Sequence, residues 1–208
     1  MELTSIAIPA TNGNARSTVV LLHGWGANDR DLLSIAQELN LPDSQFIFPN
    51  ATFAHPGMPG ARMWYELGPQ LEFDRDPEGI ATSRTAIAAL IDRVAIETNI
   101  PLSRTVLAGF SQGGAMTLDV GTRLPLAGLV SMSGYLHADL DAEAATVKPA
   151  LVMHGSADPV VPFAAAGRVC EALKQVGMGV EFHEFAIGHG ICPEEIAVLR
   201  AFLVKVLG

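Results

Sequence analysis

Short apolar runs recur along the chain, and most of them lack the polar alternation of a half-buried strand. Continuous apolar runs of this length are typical of strands that are buried on both faces of a mostly parallel sheet. The predicted strands are Thr18–Leu22, Gln45–Phe48, Thr105–Ala108, Gly128–Met132, Ala150–His154 and Val180–Phe185, with Ser5–Ile8 as an edge strand.

Stretches with helical periodicity lie between these strands. Asp29 or Asp31 is expected to cap a first helix that ends near Leu39. The other predicted helices are Gly79–Thr98, Gly114–Arg123, Phe163–Val176 and Glu194–Leu207. Strands that alternate with helices predict an α/β fold with right-handed crossovers, and the length favours a single domain over residues 1–208.

The segment Ala51–Asp76 is too long for an ordinary connection and has no strong period. Within it, Met63–Leu67 is a candidate for a short strand. The segment is either a flap that covers the core or a flap that also lines a substrate pocket. Its candidate substrate-binding residues are Phe53, Met63, Trp64, Tyr65, Leu67, Leu71 and Phe73.

Composition and charge exclude several classes of function. Hydrophobic residues make up 49% of the chain and charged residues only 17%, with a formal net charge of −9 and no basic cluster, so nucleic acid is not an expected partner. The sparse charge leaves a homodimer open. No apolar stretch approaches the roughly 20 residues that span a bilayer, and no leader pattern stands at the start, so a cytoplasmic location is expected.

Cysteine and histidine usage argues against a disulfide framework and against a metal site. The two cysteines, Cys170 and Cys192, are too few for such a framework, and no Cys or His spacing matches a metal site. No metal or other cofactor is therefore expected. Cys192 stands three residues after a candidate catalytic histidine, so a modification there could matter.

The pattern Gly109-Phe110-Ser111-Gln112-Gly113 carries the strongest functional signal. It lies between a predicted strand and a predicted helix, where a sharp turn would expose the serine hydroxyl and the glycines would let neighbouring chain approach. Ser111 is therefore the candidate nucleophile. A serine hydroxyl is a weak nucleophile and needs an adjacent base.

Asp158 and His189 follow Ser111 in the chain order of α/β-hydrolase triads. Asp158 comes just after a predicted strand, where it could orient a histidine; Asp139 and Asp141 are reserve candidates. Glycines flank His189 and are expected to let its loop carry the ring toward the serine. His183 lies inside a predicted strand, and His55 and His137 have weaker contexts.

An oxyanion needs hydrogen-bond donors near the nucleophile. They commonly come from the loop after the first central strand and from the residue after the serine. Here that loop is His23-Gly24-Trp25-Gly26, so the backbone N–H groups of Trp25 and Gln112 are the candidate donors.

These motifs together resemble the phospholipase/carboxylesterase family of α/β-hydrolases, which includes the acyl-protein thioesterases. The resemblance covers nearly the whole chain and rests on Leu22–Gly26, Gly79-Ile80, Gly109–Gly114, His154-Gly155 with Asp158-Pro159, and His189. It implies an α/β-hydrolase fold without a large cap domain, and hydrolysis of carboxylic esters or thioesters without a metal. Trp25 is bulkier than the leucine that is common in thioesterase members.

The leading hypothesis is a serine carboxylesterase that acts on short-to-medium acyl groups through an acyl-enzyme. Its partner is a small ester or an acylated substrate, and Trp25 is also a candidate substrate-binding residue because its bulk should limit acyl length. One alternative is an acyl-protein thioesterase or lysophospholipase that acts on long acyl chains. Another is a ligand-binding protein on a hydrolase fold, against which stands the retention of all three triad residues.

Overall fold

A seven-stranded sheet with helices on both faces organises the protein, in a computed structural model that describes residues 2–68 and 76–208. The strands are β1 (Ser5–Ile8), β2 (Ser17–Leu22), β3 (Ser44–Pro49), β4 (Phe53–Ala54), β5 (Arg62–Met63), β6 (Thr105–Phe110), β7 (Gly128–Met132), β8 (Pro149–Gly155) and β9 (Gly179–Phe185). The helices are α1 (Leu33–Leu39), α2 (Pro77–Thr98), α3 (Gln112–Gly121), α4 (Ala164–Gln175) and α5 (Pro193–Leu207), and a 3₁₀ turn spans Leu102–Arg104.

The strand order in the large sheet is β1-β3-β2-β6-β7-β8-β9. Only the edge pair β1–β3 is antiparallel; the other neighbours run parallel. The predicted mostly parallel sheet is therefore confirmed. Because parallel strands point the same way, their carboxyl ends meet at one edge, which is where such folds assemble their sites.

Alternate residues of the central strands pack into different cores, which explains the absence of polar alternation. Val20 and Leu22 of β2 pack with residues of α2 and α3, whereas Val19 and Leu21 pack with residues of α1 and α5. Helix α4 packs on the same face as α3, against β7 and β8.

Two local predictions need correction. The first helix begins only at Leu33, and neither Asp29 nor Asp31 caps it, since the capping residue is Leu32 and no side chain bonds the helix start. The carboxylate of Asp29 instead accepts a hydrogen bond from the Asn50 side chain. Of the strand predicted at Met63–Leu67, only Met63 is extended, in the two-residue strand β5 that pairs with β4.

Helix α3 approaches strand β2 so closely that no side chain fits between them. A Cβ atom at Gly113 would lie 2.2 Å from the carbonyl oxygen of Leu22, and one at Gly109 would lie 2.2 Å from the carbonyl oxygen of Gly113. Both glycines are therefore required by a backbone contact, and this contact sets the start of α3 against the sheet.

We predict that Gly113→Ala lowers the free energy of unfolding by about 3 kcal/mol or more, because the new methyl must displace backbone in a packed core. Gly167→Ala is the matched control, since a Cβ at this position in α4 meets nothing within 4 Å. It should stabilise the protein by about 0.5–1 kcal/mol through helix propensity. Urea unfolding of both variants measures the difference, and equal stabilities would contradict the assigned contact.

Candidate active site

Ser111 occupies a strained turn between β6 and α3. Its backbone has φ 55° and ψ −118°, a region that residues with a Cβ seldom adopt. Its N–H donates to the carbonyl of Met132 on the neighbouring strand, at 2.8 Å, which anchors the turn to the sheet. Strain of this kind persists only where the surroundings enforce it.

A chain of hydrogen bonds links Ser111, His189 and Asp158. The Nδ1 atom of His189 lies 2.7 Å from Asp158 Oδ2, and its Nε2 atom lies 2.9 Å from Ser111 Oγ. Because an ionised carboxylate only accepts hydrogen bonds, Nδ1 carries the proton. In the neutral ring, Nε2 is then the acceptor for the Ser111 hydroxyl.

The Asp158 carboxylate is completely buried, and both of its oxygens accept hydrogen bonds. Its Oδ1 atom accepts the backbone N–H groups of Val160 and Val161 at 2.8 and 2.9 Å. Burial by itself raises the pKa of Asp158, but the hydrogen bonds from His189 and from the Val161 and Val160 backbone outweigh it, so the net pKa lies below the ordinary value. The carboxylate is therefore charged at neutral pH.

Asp158 and His189 meet because the loops that carry them are bonded to each other. The N–H groups of Ser156 and Ala157 donate to the carbonyls of Phe185 and Ile187. A Cβ at Gly155 would lie 2.4 Å from the carbonyl oxygen of Gly188, so this glycine permits the approach.

The sequence predicts that the glycines on either side of His189 let its loop approach the serine. That explanation is wrong. Gly188 and Gly190 have ordinary φ values, and an added Cβ would meet nothing closer than 3.8 Å at Gly188 and nothing within 4 Å at Gly190. The glycine that the His189 loop needs is Gly155, at the end of strand β8.

The candidate oxyanion loop lies directly against Ser111. A Cβ at Gly24 would be 3.5 Å from the Cβ of Ser111. No hydrogen-bond acceptor among the described residues takes up the backbone N–H of Trp25, nor that of Gln112, the first residue of α3. Both N–H groups are therefore unpaired among the described residues, and their role as oxyanion donors stays a prediction.

His23 holds this loop through both ring nitrogens. Its Nδ1 atom lies 2.8 Å from the carbonyl oxygen of Gly24, and its Nε2 atom accepts the N–H of Ala51 at 3.0 Å. A carbonyl accepts and an N–H donates, so the ring must be neutral with its proton on Nδ1. Burial lowers the pKa of His23 and outweighs the Gly24 bond, which raises it.

Trp64 and Tyr65 do not line an open pocket, which corrects the sequence-based prediction. Both side chains have no exposed surface. The Gln112 side chain bonds their backbone twice: its Oε1 accepts the Trp64 N–H at 2.9 Å, and its Nε2 donates to the Tyr65 carbonyl at 2.8 Å. The Trp64 indole N–H donates to the His23 carbonyl at 2.9 Å. These residues position the turn and the oxyanion loop.

A second buried polar network, missed by sequence reasoning, lies behind this segment. The Tyr65 hydroxyl lies 2.7 Å from that of Tyr135 and 3.3 Å from His137 Nδ1. His137 Nε2 lies 3.2 Å from Asp119, which also accepts Arg84 Nε at 2.9 Å. Burial raises the pKa of Asp119, but the His137 and Arg84 contacts outweigh it and leave the pKa low. A buried aspartate needs such partners. The sequence singles out Tyr65 and His137 separately, but no pattern in the chain joins them to Asp119.

The remaining candidates differ in their exposure. Phe53, Met63 and Leu67 are half-buried, and Trp25 keeps 38% of its surface exposed. Leu71 and Phe73 lie outside the described residues. The reserve acids Asp139 and Asp141 are exposed, and Asp141 pairs with Arg123 at 3.0 Å instead of with a histidine.

Cys192 does not reach the Ser111–His189–Asp158 group through any bond in the described chain. It caps helix α5, where its N–H donates to Glu195 Oε2 at 2.9 Å. Nowhere in residues 2–68 and 76–208 do three or more His, Cys, Asp or Glu side chains gather to hold a metal ion. The same residues include no helix that is long and apolar enough to cross a membrane.

The sheet, the strained serine turn and the hydrogen-bonded serine, histidine and aspartate define the class of α/β-hydrolases. The chain belongs to the phospholipase/carboxylesterase family, whose model matches residues 3–207, and it is a hydrolase. Acyl-protein thioesterase 1 of Neurospora crassa is 32% identical over 91% of this chain and 86% of its own.

Solved structures agree with this assignment. The crystal structure of esterase PE8 matches with a TM-score of 0.92 and 32% identity, and the match covers 100% of both chains. Zea mays acyl-protein thioesterase 2 matches with a TM-score of 0.81 and 26% identity over 99% of both chains. The predicted family is therefore confirmed.

The buried neutral ring of His23 generates a prediction about stability and pH. The unfolded chain binds a proton at His23 below the ordinary histidine pKa of 6.5, whereas the folded chain resists it. The contribution of His23 to stability is thus complete above pH 6.5 and falls as the pH drops toward the lowered folded pKa. The slope should be at most about 1.4 kcal/mol per pH unit.

Urea unfolding across this pH range measures the effect. His23→Gln should lose that part of the slope, and His183→Gln, on the partly exposed strand β9, should keep it. Parallel pH profiles for wild type and His23→Gln would contradict the assigned ring state.

Proposed function

We propose that this hydrolase is a serine carboxylesterase whose nucleophile is Ser111. The observation that carries the proposal is the pair of hydrogen bonds at His189, which accepts one from the strained serine at 2.9 Å and donates one to a buried aspartate at 2.7 Å. Each member has the partner that its role needs: the nucleophile has a base, and the base has an acid that orients it.

Acylation follows from this geometry. The Ser111 oxygen attacks the acyl carbonyl carbon while its proton passes to His189 Nε2. The charge that appears on the imidazole is stabilised by the Asp158 carboxylate, which stays ionised. When the tetrahedral intermediate collapses, the bond from carbon to the leaving oxygen breaks, and His189 gives its proton to the departing alcohol.

Deacylation repeats the sequence with water. His189 Nε2 takes a proton from a water molecule, whose oxygen attacks the acyl-enzyme. The second tetrahedral intermediate releases the carboxylic acid, and the proton returns to the Ser111 oxygen. In this half of the reaction only water, His189 and Ser111 change their protonation, and Asp158 stays ionised.

The backbone N–H groups of Trp25 and Gln112 would stabilise the oxyanion in both halves of the reaction. Neither has a competing acceptor in the described chain, and the loop bonds of His23 and the Gln112 side chain hold both in place. Donors that are fixed before the charge develops cost no reorganisation during the reaction.

For the substrate, we propose carboxylic esters of short-to-medium acyl groups. The likeness to esterase PE8 supports an ester, and the bulk of Trp25 beside the donors supports a limited acyl length. Thioesters are the second candidate, because relatives such as the Neurospora crassa protein are named acyl-protein thioesterases. Comparing oxygen esters with thioesters of the same acyl group distinguishes the two.

We further propose that the enzyme acts as one domain in the cytoplasm. The pairing of β1 with β3 and the contact of α5 with α1 join both ends of the chain to one sheet. Cys170 and Cys192 are free thiols, as expected in a reducing compartment. A homodimer stays a sequence-based hypothesis, which light scattering of the purified protein tests.

The proposal predicts that Ser111→Ala abolishes esterase activity in a folded protein. Loss of the nucleophile in a serine hydrolase costs on the order of 10⁶ in turnover. The measurement is hydrolysis of an acetyl ester, together with labelling by a fluorophosphonate, which reacts with activated serines. Wild type should be labelled at Ser111 and the variant should not. An unlabelled, inactive wild type would instead support the non-catalytic alternative.

Asp158→Asn should lower turnover by roughly 10⁴, because an amide cannot hold the ring with its proton on Nδ1. Asp141→Asn is the matched control, since its carboxylate pairs with Arg123 at the surface. Turnover is compared at saturating substrate after circular dichroism has shown that both variants are folded. A larger loss in Asp141→Asn would show that the acid is wrongly assigned.

A further inference from the structure

The indole of Trp25 packs against the imidazole of His55. The ring centroids are 4.5 Å apart and the planes meet at 74°, an edge-to-face arrangement. Aromatic pairs favour this geometry because the positive edge of one ring meets the negative face of the other. Since 38% of Trp25 is exposed, His55 holds one part of the indole while another part faces outward.

Backbone bonds fix the two segments that carry these rings. The N–H of Gly26 donates to the Arg62 carbonyl at 2.9 Å, and the N–H of Arg62 donates to the Ala27 carbonyl at 2.7 Å. The N–H of His55 donates to the Ala61 carbonyl at 2.9 Å within the β4–β5 hairpin. The main freedom left to the indole is rotation of its side chain, and the His55 ring opposes that rotation.

The hydrogen bonds of His55 support a specific contact between its ring and the Trp25 indole. Its Nδ1 atom accepts the N–H of Gly57 at 3.1 Å, so a neutral ring carries its proton on Nε2. That Nε2 atom is buried, and no hydrogen-bond acceptor among the described residues reaches it. An N–H group can donate to the π face of an aromatic ring, and the indole of Trp25 is the ring that packs against His55.

Met58 extends the same apolar surface. A Cβ at Gly26 would lie 3.0 Å from the terminal methyl of Met58, so this side chain covers the glycine next to Trp25. Met58 is 40% exposed. Trp25, His55 and Met58 together form an apolar rim that begins one residue after Gly24, where the chain touches Ser111.

We propose that His55 fixes the Trp25 indole as the wall that ends the acyl pocket, so that the pair determines acyl-chain length. The inference rests on the proposed function. If the Trp25 backbone N–H binds the acyl carbonyl oxygen, the methylenes next to that carbonyl lie within reach of the side chain of the same residue. His55 is therefore a specificity-determining residue that acts through Trp25.

The test is kcat/KM for p-nitrophenyl esters from acetyl to palmitoyl. Trp25→Leu, which keeps the backbone donor, should shift the optimum to longer chains, with about a fourfold relative gain for each further methylene that is buried. His55→Leu should shift it in the same direction by a smaller amount. In the double variant, His55→Leu should not change the length profile of Trp25→Leu any further, because the indole that His55 fixes is already absent.

The controls separate this inference from the proposed function. His183→Leu removes a histidine from the partly exposed strand β9 and should leave the length profile unchanged. His55→Gln, which has no ring, should behave as His55→Leu and serves if that variant does not fold. Failure of wild type to hydrolyse any ester would overturn the proposed function.

Three results with active enzyme would overturn the inference alone. The first is a wild-type length profile in both His55 variants. The second is an equal loss at every chain length, which is what a merely structural role produces. The third is additivity with Trp25→Leu, which would show that His55 acts independently of the indole.

Discussion

The site depends on one close contact between backbones. Helix α3 begins against the end of strand β2, where Gly113 lies so near the Leu22 carbonyl that even a methyl group would collide with it. This contact forces the chain to turn sharply at Ser111 and brings the loop after β2 to the same place. The strained serine and the candidate oxyanion donors therefore arise from a single packing constraint.

Hydrogen bonds between buried groups then hold the serine turn and the loop after β2 in place. The Gln112 side chain joins the serine turn to Trp64 and Tyr65, and the Trp64 indole joins that segment to His23. Ser83 of α2 adds a bond to the Trp64 carbonyl. Because an unpaired buried amide or hydroxyl is costly, each bond restricts the alternatives of its neighbours. The resulting rigidity suits a site whose donors must be in place before charge develops.

The chain order of the motifs was enough to predict the fold and the serine, aspartate and histidine that the structure brings together. Unalternating apolar runs marked buried strands because both faces of the sheet are covered. The glycines around Ser111 marked the turn because only glycine tolerates the backbone contact there. Such patterns are local, so they can be recognised in a single sequence. The helix start near Asp29 was misjudged because a residue type that can cap a helix does not show where the helix begins.

Only the tertiary structure shows which residues contribute to the site indirectly, by positioning other residues. Trp64 and Tyr65 look like pocket residues in the sequence, yet the fold buries them completely, since they belong to the core that α2 and α3 share. Gly155 rather than Gly188 or Gly190 admits the His189 loop, because the close approach is to the end of strand β8. His55 meets Trp25 although the two belong to different loops, far apart along the chain. The sequence by itself determined the chemistry of the site, through residue types and local turns. Contacts between distant segments depend on how the sheet and its loops pack, and no local pattern encodes them.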